Sequence, residues 1–414
     1  MILEILDGSM TPGARLNATI EILETILHGR KAADIAMVDW AKSHRFAGSG
    51  DRRAVEARVY KILRRRNECA HAMHGQEDPR SLVLGSLALE GLNADQIDDL
   101  YTDGLYSPGA LSIGARAALN ASPASVPGPW VTLNYPAWLD EELNRSLGAE
   151  LNAEMEAMLG RAALDVRANA LKGSRADAIK ALAAEEIEAD ASKIAPMAIR
   201  VRGHSKLEHL DCFRNGLIEV QDAASQATCE MLAVRPGERV VDLCAGAGGK
   251  SLAMAAMMQN QGTILACDVD GKRLGRLAPR AVRCGATMIE LTGNPHGDHL
   301  HLVADCADAV LVDAPCSGSG TWRRNPEAKW TLDADRLESY RTAQAQCLDR
   351  AFELVRPDGR VLFVTCSVLK SEGEDQIDAA ITRMPGLTIG AMRRFSPATT
   401  DTDGFFAGLL VKGK

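Results

Sequence analysis

Apolar positions in the first third of the chain recur at helical spacing. Leu16, Ile20, Leu23 and Leu27 form one stripe, closed by Gly29; Ile35, Val38 and Trp40 begin a second, and Leu82, Leu87 and Leu89 belong to a later one. Between them Val55, Val59, Ile62 and Leu63 predict a helix that Asp51 caps, with Arg52, Arg53, Arg58, Arg64, Arg65 and Arg66 on its remaining faces. Residues 1–121 therefore read as all-helical. The prolines of 122–129 cannot sustain a helix and mark a linker over 122–133. From 134 to 215 the periods mix: 139–159 predicts a helix and 163–169 a strand, a small α+β module. From 216 to 414 short apolar runs end in turn residues and alternate with helical patterns, which predicts an α/β domain.

Three of those runs carry chemistry. Val240-Val241-Asp242-Leu243 opens onto Cys244, Ala245, Gly246, Ala247, Gly248, Gly249 and Lys250 and then an apolar run over 252–258, which is a strand, a glycine turn and a helix start. The next strand, 262–267, ends on Asp268, where a nucleotide-binding sheet puts an acid for ribose hydroxyls. A phosphate-binding loop of the Gly-x-x-x-x-Gly-Lys-Ser type needs a further glycine where Cys244 stands, and a dinucleotide turn needs a third spaced glycine. S-adenosylmethionine is left as the best ligand. Cys316, in Asp313-Ala314-Pro315-Cys316, and Cys366, in Thr365-Cys366-Ser367, each follow an apolar strand, 309–312 and 361–364. Carboxyl ends of neighbouring strands line one crevice in an open α/β sheet, so two thiols and the Asp313 carboxylate are expected to meet. Such a set suits covalent attack on an electron-poor ring carbon, followed by removal of a proton from the carbon beside it.

From about residue 136 onward the chain resembles the RNA cytosine-C5 methyltransferases of the RsmB/NOL1/NSUN group. The matching stretches are Val220 to Gln226, the turn from Cys244 to Lys250, Asp268, Asp313 to Cys316, Thr365-Cys366-Ser367, and Asp403-Gly404-Phe405-Phe406. The family turn usually reads Ala-Ala-Pro-Gly-Gly-Lys, so this chain lacks its proline. The resemblance implies a Rossmann-like, class I S-adenosylmethionine-dependent methyltransferase domain over 216–414. It implies a small RNA-binding module over 134–215, where Arg167 and Asn169 fall on the family's Arg-x-Asn and would contact RNA or brace the module. The helical front, most of all its Asp51-Arg52 helix, resembles the NusB-like domain ahead of the catalytic region in bacterial RsmB proteins.

The roles that the resemblance implies are specific. Cys366 is the nucleophile for cytosine C6, Asp313 holds or protonates N3, and Cys316 assists product release. The cofactor set is Cys244 to Lys250, Asp268, Arg273, Asn294 and Asp313. Asn294 stands where the family places an acid near the adenine, with Asp305 its rival. An ordinary thiol has a pKa near ~8.5, so Cys366 needs a nearby positive charge, and Lys250 and the cofactor's sulfonium are the candidates. DNA cytosine-C5 enzymes take their nucleophile from the Pro-Cys motif, which would leave Cys366 without purpose. Enzymes that methylate exocyclic amines need no thiol. Small-subunit ribosomal RNA is the expected substrate, with transfer RNA, or a non-catalytic ribosome-assembly role, as alternatives.

Composition sets bounds on this reading. A chain of 414 residues holds two or three domains. Its first residues, with Glu4 and Asp7, lack the basic start of a signal peptide, and ten cysteines without Cys-x-x-Cys spacing point to a reducing cytoplasm, without metal. No apolar run spans a bilayer, so no membrane is expected. A formal net charge of −8 is unusual for a protein that holds a polyanion, and it moves the expectation to local patches: the arginines of the Asp51 helix, and Arg323 and Arg324 beyond the Cys316 motif.

Overall fold

The computed structural model describes residues 10–123, 126–203, 206–295 and 304–414. Glu4 and Asp7, and two residues of the proline-rich stretch, Ala124 and Ser125, lie outside them. The chain forms two compact units: one runs to Asn144 and adds Gly148–Arg161 and Trp322–Leu332, and the other holds Arg145–Leu147, Ala162–Thr321 and Asp333–Lys414.

The first unit is helical. Pro12–Leu27 is capped by Thr11, whose hydroxyl accepts the Ala14 amide at 3.1 Å, and it buries Leu16, Ile20 and Leu23. In the second helix, Ala33–Ser43, the expected stripe holds only at Trp40, which packs against the core. Ala33 and Ala36 face the core while Ile35 and Val38 are about half exposed. Small residues let that helix approach closely, and a hydropathy pattern does not register them. Leu89 is likewise exposed, whereas Leu82 and Leu87 are buried in Pro79–Leu89. The arginine-rich helix, Ser49–Arg64, starts two residues before Asp51, and the buried Asp51 carboxylate caps it from inside the first turn by accepting the Gly48 amide at 3.2 Å. The helix expected over 139–159 is broken at Gly148, whose φ is +53°, into Asp140–Leu147 and Leu151–Leu159. Pro129–Thr132 forms a helical turn inside the expected linker.

Trp322–Leu332 belongs to this helical unit although it follows the Cys316 motif by a few residues. Trp322 is fully buried, Trp330 Nε1 donates to the Leu63 carbonyl at 2.6 Å, and Glu327 Oε1 accepts the Ala33 amide at 3.1 Å. Lys329 is 1% exposed, donates to the Asn134 carbonyl at 2.7 Å and lies 5.0 Å and 5.7 Å from the Trp330 and Trp322 ring centres.

The second unit contains two sheets. The smaller is antiparallel, in the order β2 (Ala189–Ala191), β3 (Ala198–Val201), β1 (Leu164–Ala168), β4 (Ile218–Val220). The larger has seven strands in the order β10 (Leu387–Phe395), β11 (Phe405–Lys412), β9 (Val355–Thr365), β8 (Ala307–Asp313), β5 (Arg239–Asp242), β6 (Thr263–Cys267), β7 (Ile289–Gly293). Its five strands from β9 to β7 are parallel, and β11 and β10 close the other edge antiparallel. Successive strand residues enter opposite cores. Val240, Ile264, Ala309 and Leu362 pack with Leu252, Met254 and Leu277, while Val241, Leu265, Val310 and Phe363 pack with Leu348, Leu354 and Ile377. A sheet covered on both faces explains why these strands read as continuous apolar runs. Strand order reverses at β5, between β8 and β6, which opens the crevice at the carboxyl edge. No described helix is long and apolar enough to cross a membrane.

Lys329 gives this architecture a pH signature. Burial, and then the charge of Arg64, pull its ammonium down to about 7. A lysine whose folded pKa lies below its unfolded value destabilises the fold when protonated, so stability rises as pH climbs from about 7 toward about 10.4, the unfolded value. Lys329→Met is expected to raise the thermal midpoint most near pH 6 and progressively less by pH 10. A difference from the unmodified chain that does not change with pH would contradict this.

Candidate active site

At the carboxyl edge, the chain leaves β5 at Asp242 and turns through two left-handed glycines, Gly246 (φ +56°) and Gly248 (φ +83°), into the helix Gly249–Met257. A Cβ on Gly246 would lie 3.0 Å from Arg273 Nε, and one on Gly248 would lie 2.0 Å from Leu277 Cδ1. The turn is tied on every side. The Ala245 amide donates to the Cys267 carbonyl at 2.8 Å and the Gly246 amide to Asp268 Oδ2 at 2.7 Å, while Arg280 and Arg167 bind the carbonyls of Ala247 at 2.5 Å and Gly249 at 2.8 Å. Asp268 Oδ1 accepts the Asp270 amide at 2.8 Å, so the carboxylate is fixed at both oxygens. The Asp268 amide donates to the Gly293 carbonyl at 2.9 Å, which puts the following residue, the exposed Asn294, at the same edge. Asp305 is elsewhere: it precedes β8, at the opposite end of that strand from Asp313, and pairs with Lys412 at 2.6 Å. Cys244 turns its sulfur toward Cys347, 3.9 Å away, so what it offers at the turn is backbone.

Beneath the turn lies a buried charged set. Asp242 accepts the Ser251 hydroxyl at 2.6 Å on Oδ2, while its Oδ1 has no hydrogen-bond partner among the described residues. Burial, with the charge of Asp313 adding to it, pushes the Asp242 carboxyl up to about 7 against the pull of Ser251 and Lys250. Lys250 donates to Asp313 Oδ2 at 2.6 Å and lies 5.4 Å from the Phe405 ring centre. Burial alone would lower the pKa of the Lys250 ammonium, but Asp313, Cys229 and Cys366 outweigh it and leave the pKa raised. The charge candidate named for Cys366 is therefore a stable cation in its vicinity.

The two cysteines meet. Cys316 Sγ and Cys366 Sγ are 3.3 Å apart, and both are free thiols. The Cys316 thiol is held well above the ordinary value, first by its hydrogen bond with Cys366, then by burial and by the charges of Cys366 and Glu372. The glycines of the neighbouring loops allow close backbone contact: the Gly320 amide donates to the Cys366 carbonyl at 3.0 Å, and the Gly404 amide to the Gly320 carbonyl at 2.8 Å. A Cβ on Gly320 would lie 2.0 Å from the Gly404 oxygen, which gives Asp403-Gly404-Phe405-Phe406 a physical role beside the cysteine loops.

Other expected contacts are placed differently. Arg167 is buried and binds Gln221 and Gly249, and Asn169 donates to the carbonyls of Gly216 and Cys284, each at 2.8 Å, so both brace the unit. Arg323 is buried and its carbonyl accepts Arg64 at 2.9 Å, which removes it as a surface phosphate contact. In the arginine helix and just past it, Arg58 and Lys61 share Glu90, Arg65 pairs with Glu68 and Arg66 with Glu77, while Arg52 and Arg53 are exposed. Sequence reasoning missed Arg280 and Glu219, which it pairs with at 2.6 Å; Glu219 also holds Arg283. It also missed Glu372. Arg280 lies in the helix Leu277–Cys284, beyond β6, and nothing local distinguishes it from a surface residue.

Seven strands with a switch point at β5, a glycine turn after it and a fixed acid after β6 define a class I methyltransferase fold. A family model described as 16S rRNA methyltransferase RsmB/F matches residues 229–411, and a ferredoxin-like domain model of RsmF/B-like methyltransferases matches 135–208. The ribosomal RNA small subunit methyltransferase B of Cronobacter sakazakii is 30% identical over 285 residues, 67% of this chain and 66% of that protein. Its Xanthomonas campestris namesake is 29% identical over 398 residues, 87% of this chain and 89% of that one. The crystal structure of PH0851 covers 98% of this chain and 99% of its own, with a TM-score of 0.77 and 26% identity. The chain belongs to the RsmB/F methyltransferase family. It spans just under two thirds of the length of the Cronobacter relative, 66%.

The turn's tolerance is measurable. Gly248→Ala puts an L side chain at positive φ, at about 1–2 kcal/mol, and against Leu277 as well. Its urea midpoint is expected to fall; a midpoint equal to that of the unmodified chain would show that the turn accepts a side chain.

Proposed function

We propose that this protein transfers a methyl group from S-adenosylmethionine to C5 of a cytosine in small-subunit ribosomal RNA, with Cys366 as the nucleophile. The observation that carries the proposal is the pair of thiols 3.3 Å apart beside the Lys250–Asp313 ion pair, at the carboxyl edge of a methyltransferase sheet. Family membership supports the substrate class.

The residues present fit the cofactor. Gly246 and Gly248 let the turn close against Arg273 and Leu277, where a Cβ would collide, Asp268 is fixed for ribose hydroxyls, and the buried Asp242 Oδ1, without a hydrogen-bond partner among the described residues, is an acceptor suited to an ammonium. Cys244 to Lys250, Asp268, Arg273, Asn294 and Asp313 would hold it, and when bound it supplies an electrophilic methyl group on a sulfonium. The chain's own residues do the rest. Cytosine C5 is too weak a nucleophile to take a methyl unaided, so the Cys366 sulfur bonds to C6 and pushes its electron pair toward C5 and N3. Asp313, one third exposed, enters this step carrying a proton that it donates to N3, which neutralises the charge gathering there. Lys250 places an ammonium in the vicinity of the Cys366 sulfur. After transfer the C5 proton leaves to a base, and its bonding pair expels the Cys366 sulfur from C6. Cys316, kept protonated, gives that departing thiolate a hydrogen-bond donor.

Incubation with labelled cofactor and RNA, followed by denaturing electrophoresis, tests the reading. The unmodified protein should methylate a small-subunit ribosomal RNA transcript, Cys366→Ala should fall to background, and Cys316→Ala should accumulate a covalent protein–RNA adduct. Preferential methylation of transfer RNA would reassign the substrate. Full activity in Cys366→Ala would end the proposal, and absence of both methyl transfer and adduct in every form would favour a scaffold role.

A further inference from the structure

One buried acid has no part in the chemistry above. Glu372 is fully buried, in the helical turn Lys370–Glu372 that follows the Cys366 loop. Its carboxylate accepts from both cysteine loops. Oε1 takes the Ser317 amide at 2.8 Å and Gln344 Nε2 at 3.1 Å, while Oε2 takes the Ser317 hydroxyl and the Ser367 hydroxyl, the latter at 2.6 Å. Ser317 directly follows Cys316, and Ser367 directly follows Cys366.

Secondary links tighten the same network. Ser319 and Ser367 hydroxyls are 2.9 Å apart, the Val368 amide donates to Ser319 Oγ at 3.0 Å, and the Leu369 amide to Ser367 Oγ at 3.1 Å. Gln344 Nε2 also donates to the Pro315 carbonyl at 2.9 Å, so a third element holds the first loop from behind. A buried carboxylate is costly unless its oxygens are satisfied, and here four donors satisfy them. Core hydrophobes would hold two loops together more cheaply. A buried anion fixes them in one geometry, because each donor must point at it.

We propose that Glu372 is a positioning residue: it clamps the Cys316 and Cys366 loops in register, so that the two sulfurs face each other at hydrogen-bonding distance. Its charge also adds to the hydrogen bond with Cys366 and the burial that raise the Cys316 thiol. The kinetic arm of the test below rests on the methyl-transfer reading; the chemical arm does not.

Phenylarsine oxide bridges two close thiols, forming two As–S bonds as its oxygen leaves with both thiol protons in water. The full chain carrying Cys347→Ser, which removes the other close thiol pair, should bind one arsenical at Cys316 and Cys366. In that background Glu372→Gln keeps the volume but replaces one acceptor with a donor facing a hydroxyl. Its arsenical affinity should fall about tenfold or more, as the second thiol loses effective concentration. With RNA and cofactor, kcat should fall about 10²-fold, the usual effect of misplacing a reacting group, with KM for RNA unchanged. A purely structural role would instead lower the thermal midpoint and raise KM along with it. Ser317→Ala and Ser367→Ala each cut one loop's link, and should reproduce part of both losses if Glu372→Gln does not fold. Retention of arsenical affinity and kcat in folded Glu372→Gln, or in both serine variants, overturns the proposal. If the unmodified protein methylates no RNA, the function reading fails, and the arsenical comparison still decides the role of Glu372.

Discussion

Parallel pairing of β8 with β9 is the constraint on which the site depends. Asp313 stands opposite Val364, and the Ala314 amide donates to the Val364 carbonyl at 2.9 Å, so both strands reach the carboxyl edge at the same level. Each then turns directly into a cysteine loop. A change of register by one residue would reverse the facing of every side chain on that strand and carry its cysteine loop out of alignment with the other. Burial on both faces, with Val310, Val312 and Phe363 on one side and Ala309, Leu311, Leu362 and Val364 on the other, makes such a slip costly. The core therefore specifies the site's geometry before any polar group contributes.

Charge is arranged on that frame by depth. Lys250, itself buried, pairs with the partly exposed Asp313, Asp242 is fully buried with one oxygen lacking a partner among the described residues, and Glu372 sits fully buried behind the thiols. Buried ionisable groups are expensive, and a fold retains them where geometry or proton affinity has to be set. Along Ser49–Arg64 and at its end the opposite holds. Most basic residues there are neutralised by glutamates or face inward, so the acidic net charge of the chain is not offset by a broad basic surface on that helix.

Local patterns made much of this legible. The glycine turn, Asp268, Asp313 and both cysteines sit where strand ends put them, because a strand, a turn and a special residue are adjacent in sequence. The Leu16 and Val55 stripes bury as expected because large apolar residues dominate those faces. Ile35 and Val38 misled because Ala33 and Ala36, with Met37 and Trp40, take the core-facing positions in that helix. Glu372, Glu219 and Arg280 were invisible because their meaning lies in partners dozens of residues away, brought together only by the sheet. Trp322–Leu332 was invisible for a similar reason: its tryptophans and Lys329 are ordinary in sequence, and only their burial among Leu63, Asn134 and Ala33 assigns them to the helical unit.

The central claim is that Cys366 bonds to the pyrimidine while Cys316 stays a thiol. RNA carrying 5-fluorocytosine tests it directly, because fluorine cannot leave C5 as a proton does and the protein–RNA bond persists after methyl transfer. Mass spectrometry of the digested complex should find the modified nucleotide on the peptide containing Cys366. Attachment to the Cys316 peptide, or no attachment under conditions where methyl transfer proceeds, would contradict the account.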